Sequence, residues 1–174
     1  MCIRDSVYVN LDRHAVPLSA AAGDLAEEIA QWAPDIDRLR LVRRLTFDVV
    51  TNWKNVIDNF LECYHCHPAH KEFVSLVDMD SYRVTTHGIW SSHFASAGTS
   101  ENSAYDVAGA TVQDHAVWWL FPNTCLLRYP GRGNFMVFQV IPVAADRTYE
   151  TWDFYFKDDQ LLEAEIEAIA YIDD

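Results

Sequence analysis

His65 and His70 are the residues of this chain best suited to chemistry, and Asn59, Glu62, Cys63 and Cys66 crowd the same stretch. Asn59, Glu62 and His65 are three residues apart, which places them along one side of a helix. His70 follows His65 by five residues, and five residues of unbroken helix turn through about 140°, so the two rings would diverge. Pro68 lies between them and breaks a helix. The chain can then turn back and set His70 beside His65. Two imidazoles and a carboxylate hold Fe(II) and leave positions open, where dioxygen can meet a substrate.

Other readings fit the same residues. A histidine pair near a helix end can be ordinary polar surface or satisfied core. Cys63-x-x-Cys66 with His67 or His70 could begin a zinc site, but a closed tetrahedral site needs a second ligand pair, and none has the right spacing. Cys63 and Cys66 could also form a redox pair. That motif normally opens a helix after a strand, whereas these cysteines sit at a helix end.

Those side chains need elements to carry them. Trp53, Val56, Ile57, Phe60, Leu61 and Tyr64 follow an i, i+3, i+4, i+7, i+8, i+11 series, which predicts a helix over 52–66 with one apolar face. Upstream, Asp24 and Glu27 resemble a capping box, and Leu25, Ile29 and Trp32 continue at helical spacing until Pro34. Residues 39–50 alternate as a strand does, with Leu39, Leu41, Arg43, Leu45, Phe47 and Val49 on one face. Strand-like runs rich in Val, Thr and aromatic residues lie near 82–95, 112–121, 124–130, 134–142 and 147–156, and Pro130 to Asn134 is a turn between two of them. Asp158 and Asp159 suit the start of a last helix with Leu162, Ile166 and Ile169 on one face. VYVNL, residues 7–11, reads as the last strand of something upstream, and MCIRDS before it has the look of a cloning scar. The order predicts an α+β fold, an antiparallel sheet with helices packed on it, truncated at both ends.

Composition narrows the function classes. The chain has 174 residues, half of them hydrophobic, which suffices for one domain with a real core. The net charge of −13 argues against nucleic acid and anionic membranes as partners. Seven acidic side chains fall in residues 158–174, whereas Arg38, Arg40, Arg43 and Arg44 cluster by the first strand. No signal peptide or membrane span is evident, so a cytoplasmic protein is expected.

The stretch from Asn52-Trp53-Lys54 through Asp58-Asn59-Phe60-Leu61-Glu62-Cys63-Tyr64-His65-Cys66 to His70 resembles the iron-binding signature of the large (alpha) subunit of Rieske non-haem iron oxygenases. Residues 7–12, the segment His115–Asn123 and Tyr155-Phe156-Lys157-Asp158 resemble further parts of that subunit. Within the family, the chain looks most like oxygenases of quaternary ammonium compounds: carnitine, glycine betaine, choline and stachydrine. The resemblance implies a helix-grip (START or Bet v1-like) fold. It makes residues 1–12 the tail of a missing Rieske [2Fe-2S] domain and 13–174 a partial non-haem iron catalytic domain. The Rieske pattern, C-x-H followed by C-x2-H, is not found in the sequence.

By the same resemblance, His65 and His70 are two ligands of a mononuclear Fe(II). Glu62 is the acid that bridges a neighbouring subunit's Rieske cluster to that iron, and Asn59 is a polar residue near the metal. The third ligand, an Asp, is expected beyond the C-terminus; the surroundings of Asp173 and Asp174 do not match it. The implied partners are O2, a small cationic substrate and an NAD(P)H-dependent reductase that delivers electrons from NADH, within a homotrimer. The implied reaction is oxidation of an N-methyl compound, by demethylation or C–N cleavage, and the fragment alone would be inactive. A quaternary ammonium donates no hydrogen bonds and is held by aromatic faces. Trp90, Trp118, Trp119, Phe121 and Tyr129 are candidates, although alternation lets only one of Trp118 and Trp119 face a pocket. The alternatives are an aromatic-ring-hydroxylating dioxygenase large subunit, or a ligand-binding helix-grip fragment without catalysis.

Overall fold

The computed structural model describes residues 7–98, 107 and 109–157. Strand β1 (Arg40–Val49) lies at one edge of a seven-stranded sheet, and β2 (Arg83–His87) lies at the other. Between them, in the order β7 (Arg147–Phe156), β6 (Asn134–Ala144), β5 (Thr124–Arg128), β4 (Asp114–Leu120) and β3 (Trp90–Ser96), every pairing is antiparallel. The α+β expectation of an antiparallel sheet covered by helices therefore holds. Consecutive strands from β2 to β7 are neighbours, as hairpin connections require. Only the link from β1 to β2 must span the width of the sheet. That link carries α3 (Trp53–Leu61), α4 (Cys66–Ala69) and α5 (Lys71–Leu76). Ahead of β1 come the short α1 (Leu18–Ala21) and α2 (Leu25–Trp32).

Both faces of the sheet are buried, each against its own helices. On one, Ile57 of α3 and Phe73 and Leu76 of α5 join Val117, Leu127, Met136, Phe138, Trp152 and Phe154. On the other, Leu25 and Ile29 of α2 join Trp90, Trp118, Leu126 and Val137. Trp32 stacks on Phe94 at 4.1 Å, and the buried indole N–H of Trp118 donates to Glu28 at 2.8 Å, which fixes α2 to its face.

Several local expectations change. The alternation over 39–50 slips at a bulge: Leu41 pairs with Tyr155 and Arg43 with Phe154. Adjacent partners face opposite ways, so Leu41 leaves the face that Arg43, Leu45, Phe47 and Val49 share and is exposed. The run 82–95 is two strands joined at Gly88, whose φ of +68° is one that glycine adopts without strain. Asp24 precedes α2 but makes no side-chain cap, so the capping box does not form. Residues 7–10 form no strand and Val7 and Val9 are exposed, because no described segment pairs with them. The expected last helix and the acidic stretch after 157 lie outside the described residues.

Candidate metal centre

Helix α3 starts where its sequence says it should. The Asn52 side chain accepts the Lys54 N–H at 3.0 Å, an N-cap, and its amide donates to the Ala145 carbonyl at 2.6 Å. The Thr148 hydroxyl donates to the Thr51 carbonyl at 2.9 Å. The helix is thus anchored at the β6–β7 turn. It then lies along β6, with Phe60 edge-on to Phe138 at 5.5 Å.

The helix ends at Leu61, not near 66. Glu62 is extended, and its carboxylate accepts the Tyr64 N–H at 2.5 Å. Tyr64, expected in the apolar stripe, is 95% exposed. The cause is Pro68: its ring would clash with the Tyr64 carbonyl in a continuous helix. By restarting at Cys66, the chain places Pro68 in a first turn, where no backbone N–H is needed. Cys63 and Cys66 form a disulfide across this break, so the two sulfurs are not arranged as thiolate ligands. Asn59, Glu62 and His65 therefore do not share a helix face. Glu62 meets His65 through the turn, with its Oε1 2.5 Å from the His65 Nδ1. The hydrogen bonds from His65 and from the Tyr64 N–H hold the Glu62 carboxyl below its usual range.

The turn does bring the two imidazoles together. His65 Nε2 and His70 Nε2 are 3.1 Å apart, with ring planes at 75°. Two nitrogens about 2.1 Å from one metal and about 90° apart around it are about 3.0 Å from each other, whereas a tetrahedral angle separates them by about 3.4 Å. The observed spacing fits two neighbouring positions of an octahedral metal. The Glu62 contact to His65 Nδ1 leaves Nε2 as the free lone pair, the tautomer a metal requires. Among the described residues no group of three His, Cys, Asp or Glu side chains could hold a metal ion.

Both histidines line a cavity of about 410 Å³ between α3–α5 and the sheet. Asn59 and Glu62 line it too. Of the five aromatic candidates, Tyr129 is on the wall. Trp90 and Trp118 pack on the opposite face of the sheet, with α2. Trp119 packs at the margin of the cavity-side core without lining the cavity, and Phe121 is exposed beyond β4. The alternation of Trp118 and Trp119 was readable, but which face held the cavity was not.

The structure adds wall residues that the sequence reading missed. His115 is buried between Phe73 at 5.2 Å and Tyr129 at 4.8 Å, and burial, helped by the nearby His93, pushes its pKa down to about 3. Burial likewise lowers His93 to about 4 and raises Tyr82, whose hydroxyl lies 3.1 Å from His93 Nδ1, to about 12. Glu150 and Trp152 complete the wall from β7. Their signal was a glutamate alternating with aromatics, at 150, 152, 154 and 156, on the buried side of one strand.

Residues 36–173 match the family model described as the ring hydroxylating alpha subunit (catalytic domain). The carnitine monooxygenase oxygenase subunit of Escherichia coli K12 is 33% identical over 97% of this chain and 45% of its own length. The chloroplastic choline monooxygenase of Atriplex hortensis is 27% identical over 89% of the chain and 35% of its own length. A solved quaternary ammonium Rieske monooxygenase, described for carnitine oxidation by gut microbiota and inter-subunit electron transfer, superposes with a TM-score of 0.82 at 30% identity, covering 93% of this chain and 43% of that one. Naphthalene 1,2-dioxygenase from a Rhodococcus species shares the fold, with a TM-score of 0.60 at 16% identity. This chain spans less than half the length of these curated relatives. It belongs to the family of ring-hydroxylating alpha-subunit catalytic domains.

Proposed function

We propose that this chain is the catalytic part of a Rieske-type terminal oxygenase that oxidises an N-methylated quaternary ammonium compound, by demethylation or C–N cleavage. The observation that carries the reading is the 3.1 Å between His65 Nε2 and His70 Nε2 in the wall of a cavity. The names of the relatives, carnitine and choline monooxygenases, support the substrate class.

In this reading His65 and His70 hold a mononuclear Fe(II), with an Asp outside the described residues as third ligand. Bound there, the metal supplies an open coordination face for dioxygen beside the substrate. The chain's own residues do the rest. Glu62 holds the proton of His65 on Nδ1, which keeps Nε2 aimed at His70. Its side chain is 47% exposed, so its outer edge is what a neighbouring subunit would meet, and we assign it the coupling between subunits of a homotrimer. Asn59 supplies a polar group to the cavity wall. Helices α3 and α5 and the break between them cover one side of the cavity. A preceding domain, of which residues 1–12 are the tail, would hold the [2Fe-2S] cluster, and an NADH-dependent reductase would supply electrons in the cytoplasm. Among the described residues no helix is long and apolar enough to cross a membrane.

The test is turnover by the full-length iron-loaded protein with reductase and NADH, on carnitine, glycine betaine and choline against benzoate-like acids. Formaldehyde or a free amine from the ammonium compounds is expected, and His70→Ala should lose both iron and turnover. Oxidation of the aromatic acids alone would replace this reading with the ring-hydroxylating one.

A further inference from the structure

Cys63 and Cys66 are joined by a disulfide, and His65 sits inside the short loop that the bond closes. Both cysteines line the cavity beside His65 and His70. Cys66 is buried in the core with Ile57, Phe73 and Leu127, whereas Cys63 is half-buried at its margin. The Cys66 N–H donates to the Cys63 carbonyl at 3.2 Å, so the bond locks a turn that the backbone already outlines. His65 leaves that turn just before the helix restarts, with its Nε2 directed at His70.

A bond that closes so short a loop removes less chain entropy than one that closes a long loop. Its main effect is local. Two thiol sulfurs cannot stay at covalent distance and must separate to non-bonded contact. Cys66 is held in the core, so the displacement falls on the Cys63 side of the turn, and His65 lies between the two. In a reducing compartment such as the cytoplasm proposed above, thiols are kept reduced, and disulfides that do form are usually transient and catalytic or redox-sensing.

We propose that Cys63 and Cys66 are redox-sensitive positioning residues of the metal centre: their disulfide holds His65 beside His70, and its reduction to two thiols loosens the imidazole pair and weakens metal binding. This rests on the reading of His65 and His70 as metal ligands. The exchange is with the glutathione couple. Two glutathione thiols lose two electrons and two protons and become one glutathione disulfide. The Cys63–Cys66 bond takes up both and becomes two S–H groups.

The experiment uses the full-length chain freed of its mononuclear metal, as the disulfide and as the dithiol made with dithiothreitol, which is then removed under argon. Alkylation and mass analysis count the thiols at positions 63 and 66. Each form is titrated anaerobically with Co(II), whose visible spectrum reports both affinity and coordination geometry. The disulfide form should bind about 3- to 10-fold more tightly, the gain from one side chain held in place in advance. Glutathione disulfide should restore the affinity of the reduced form. The double variant Cys63→Ala, Cys66→Ala should bind as the reduced wild type does and ignore the couple; if it does not fold, the two wild-type forms decide. Equal affinity of the two forms would overturn the inference and leave the metal centre standing. So would tighter binding by the dithiol with an intense sulfur-to-cobalt absorption, a disulfide that reduced glutathione leaves intact, or loss of the β-sheet circular dichroism on reduction. If His65→Ala binds Co(II) as the disulfide wild type does, the metal-centre reading fails and the inference fails with it.

Discussion

Removing the Glu62 carboxylate should loosen metal binding without removing a ligand. The carboxylate fixes two properties of His65: it holds the proton on Nδ1 and it stops the ring from flipping. A free imidazole loses roughly two-fold from the flip and a few-fold from the tautomer, together about ten-fold. Loss of the negative charge, which makes Nε2 a better donor, extends the expected range to about 10- to 100-fold in metal affinity. The two contributions can be separated. Glu62→Gln keeps a carbonyl oxygen that can accept the Nδ1 proton but drops the charge, so it should fall between wild type and Glu62→Ala. Anaerobic titration with Fe(II), or with Co(II) read by its visible spectrum, measures the affinity, with His65→Ala as the reference for loss of a ligand. If Glu62→Ala bound metal as tightly as wild type, His65 would be oriented by something else. If Gln and Ala were equally weak, the charge would carry the whole effect and the tautomer argument would be wrong.

Two further outcomes are expected. His93 and His115 are held neutral by burial, with pKa values lowered to about 4 and about 3 from an unfolded value of about 6.5. Below pH 6.5 the unfolded chain binds protons that the native state refuses. Stability should therefore be constant above pH 6.5 and fall as the pH drops towards those values, by up to about 1.4 kcal/mol per pH unit for each histidine. Denaturant titration across pH 7 to 5 checks this, and His115→Phe should roughly halve the slope; an unchanged slope would mean that His115 is not a source of it. Trp118→Phe deletes the donor to Glu28 and part of a fully buried ring, so it should cost about 2–4 kcal/mol of stability. Because Trp118 lies on the face away from the cavity, the variant should bind choline as the wild type does. A weakened affinity in a folded Trp118→Phe protein would place that ring at the site after all.

What the sequence made legible was whatever a local rule decides. Pro68 between two histidines predicts a return of the chain, and the rings do meet. Alternation predicted the strands. The misreadings arise where a local pattern is overruled by a competing bond or by a partner strand. The apolar stripe of α3 runs on to Tyr64 in sequence, but Glu62 captures the Tyr64 N–H and Pro68 forbids the turn that would include it. Leu41 obeys the alternation in the sequence, and the bulge against β7 reverses it. Four of the five aromatic candidates lie off the cavity wall for a third reason. Period-two patterning separates Trp118 from Trp119, but only the packing of α2 and α3 decides which face encloses the cavity.

The topology explains why so short a segment can carry the site. Strands β1 and β2 occupy opposite edges of one sheet, so the chain between them has to cross the sheet, and the face it crosses becomes enclosed. A break in that crossing segment puts side chains over the middle of the sheet, where β4 to β7 supply the opposing wall. Glu62, the disulfide and Pro68 set the local geometry of His65 and His70, but their position over the wall depends on where α3 begins. That start is tied to the β6–β7 turn by Asn52 on the Ala145 carbonyl and by Thr148 on the Thr51 carbonyl. The imidazole pair is therefore positioned from both sides of one hairpin. β7 carries Glu150 and Trp152 into the cavity, and the turn before it anchors the helix that presents the histidines. A shift at that turn would move wall and ligands together, preserving their separation, whereas a change in the 62–68 break would alter the spacing of the two nitrogens and leave the wall in place.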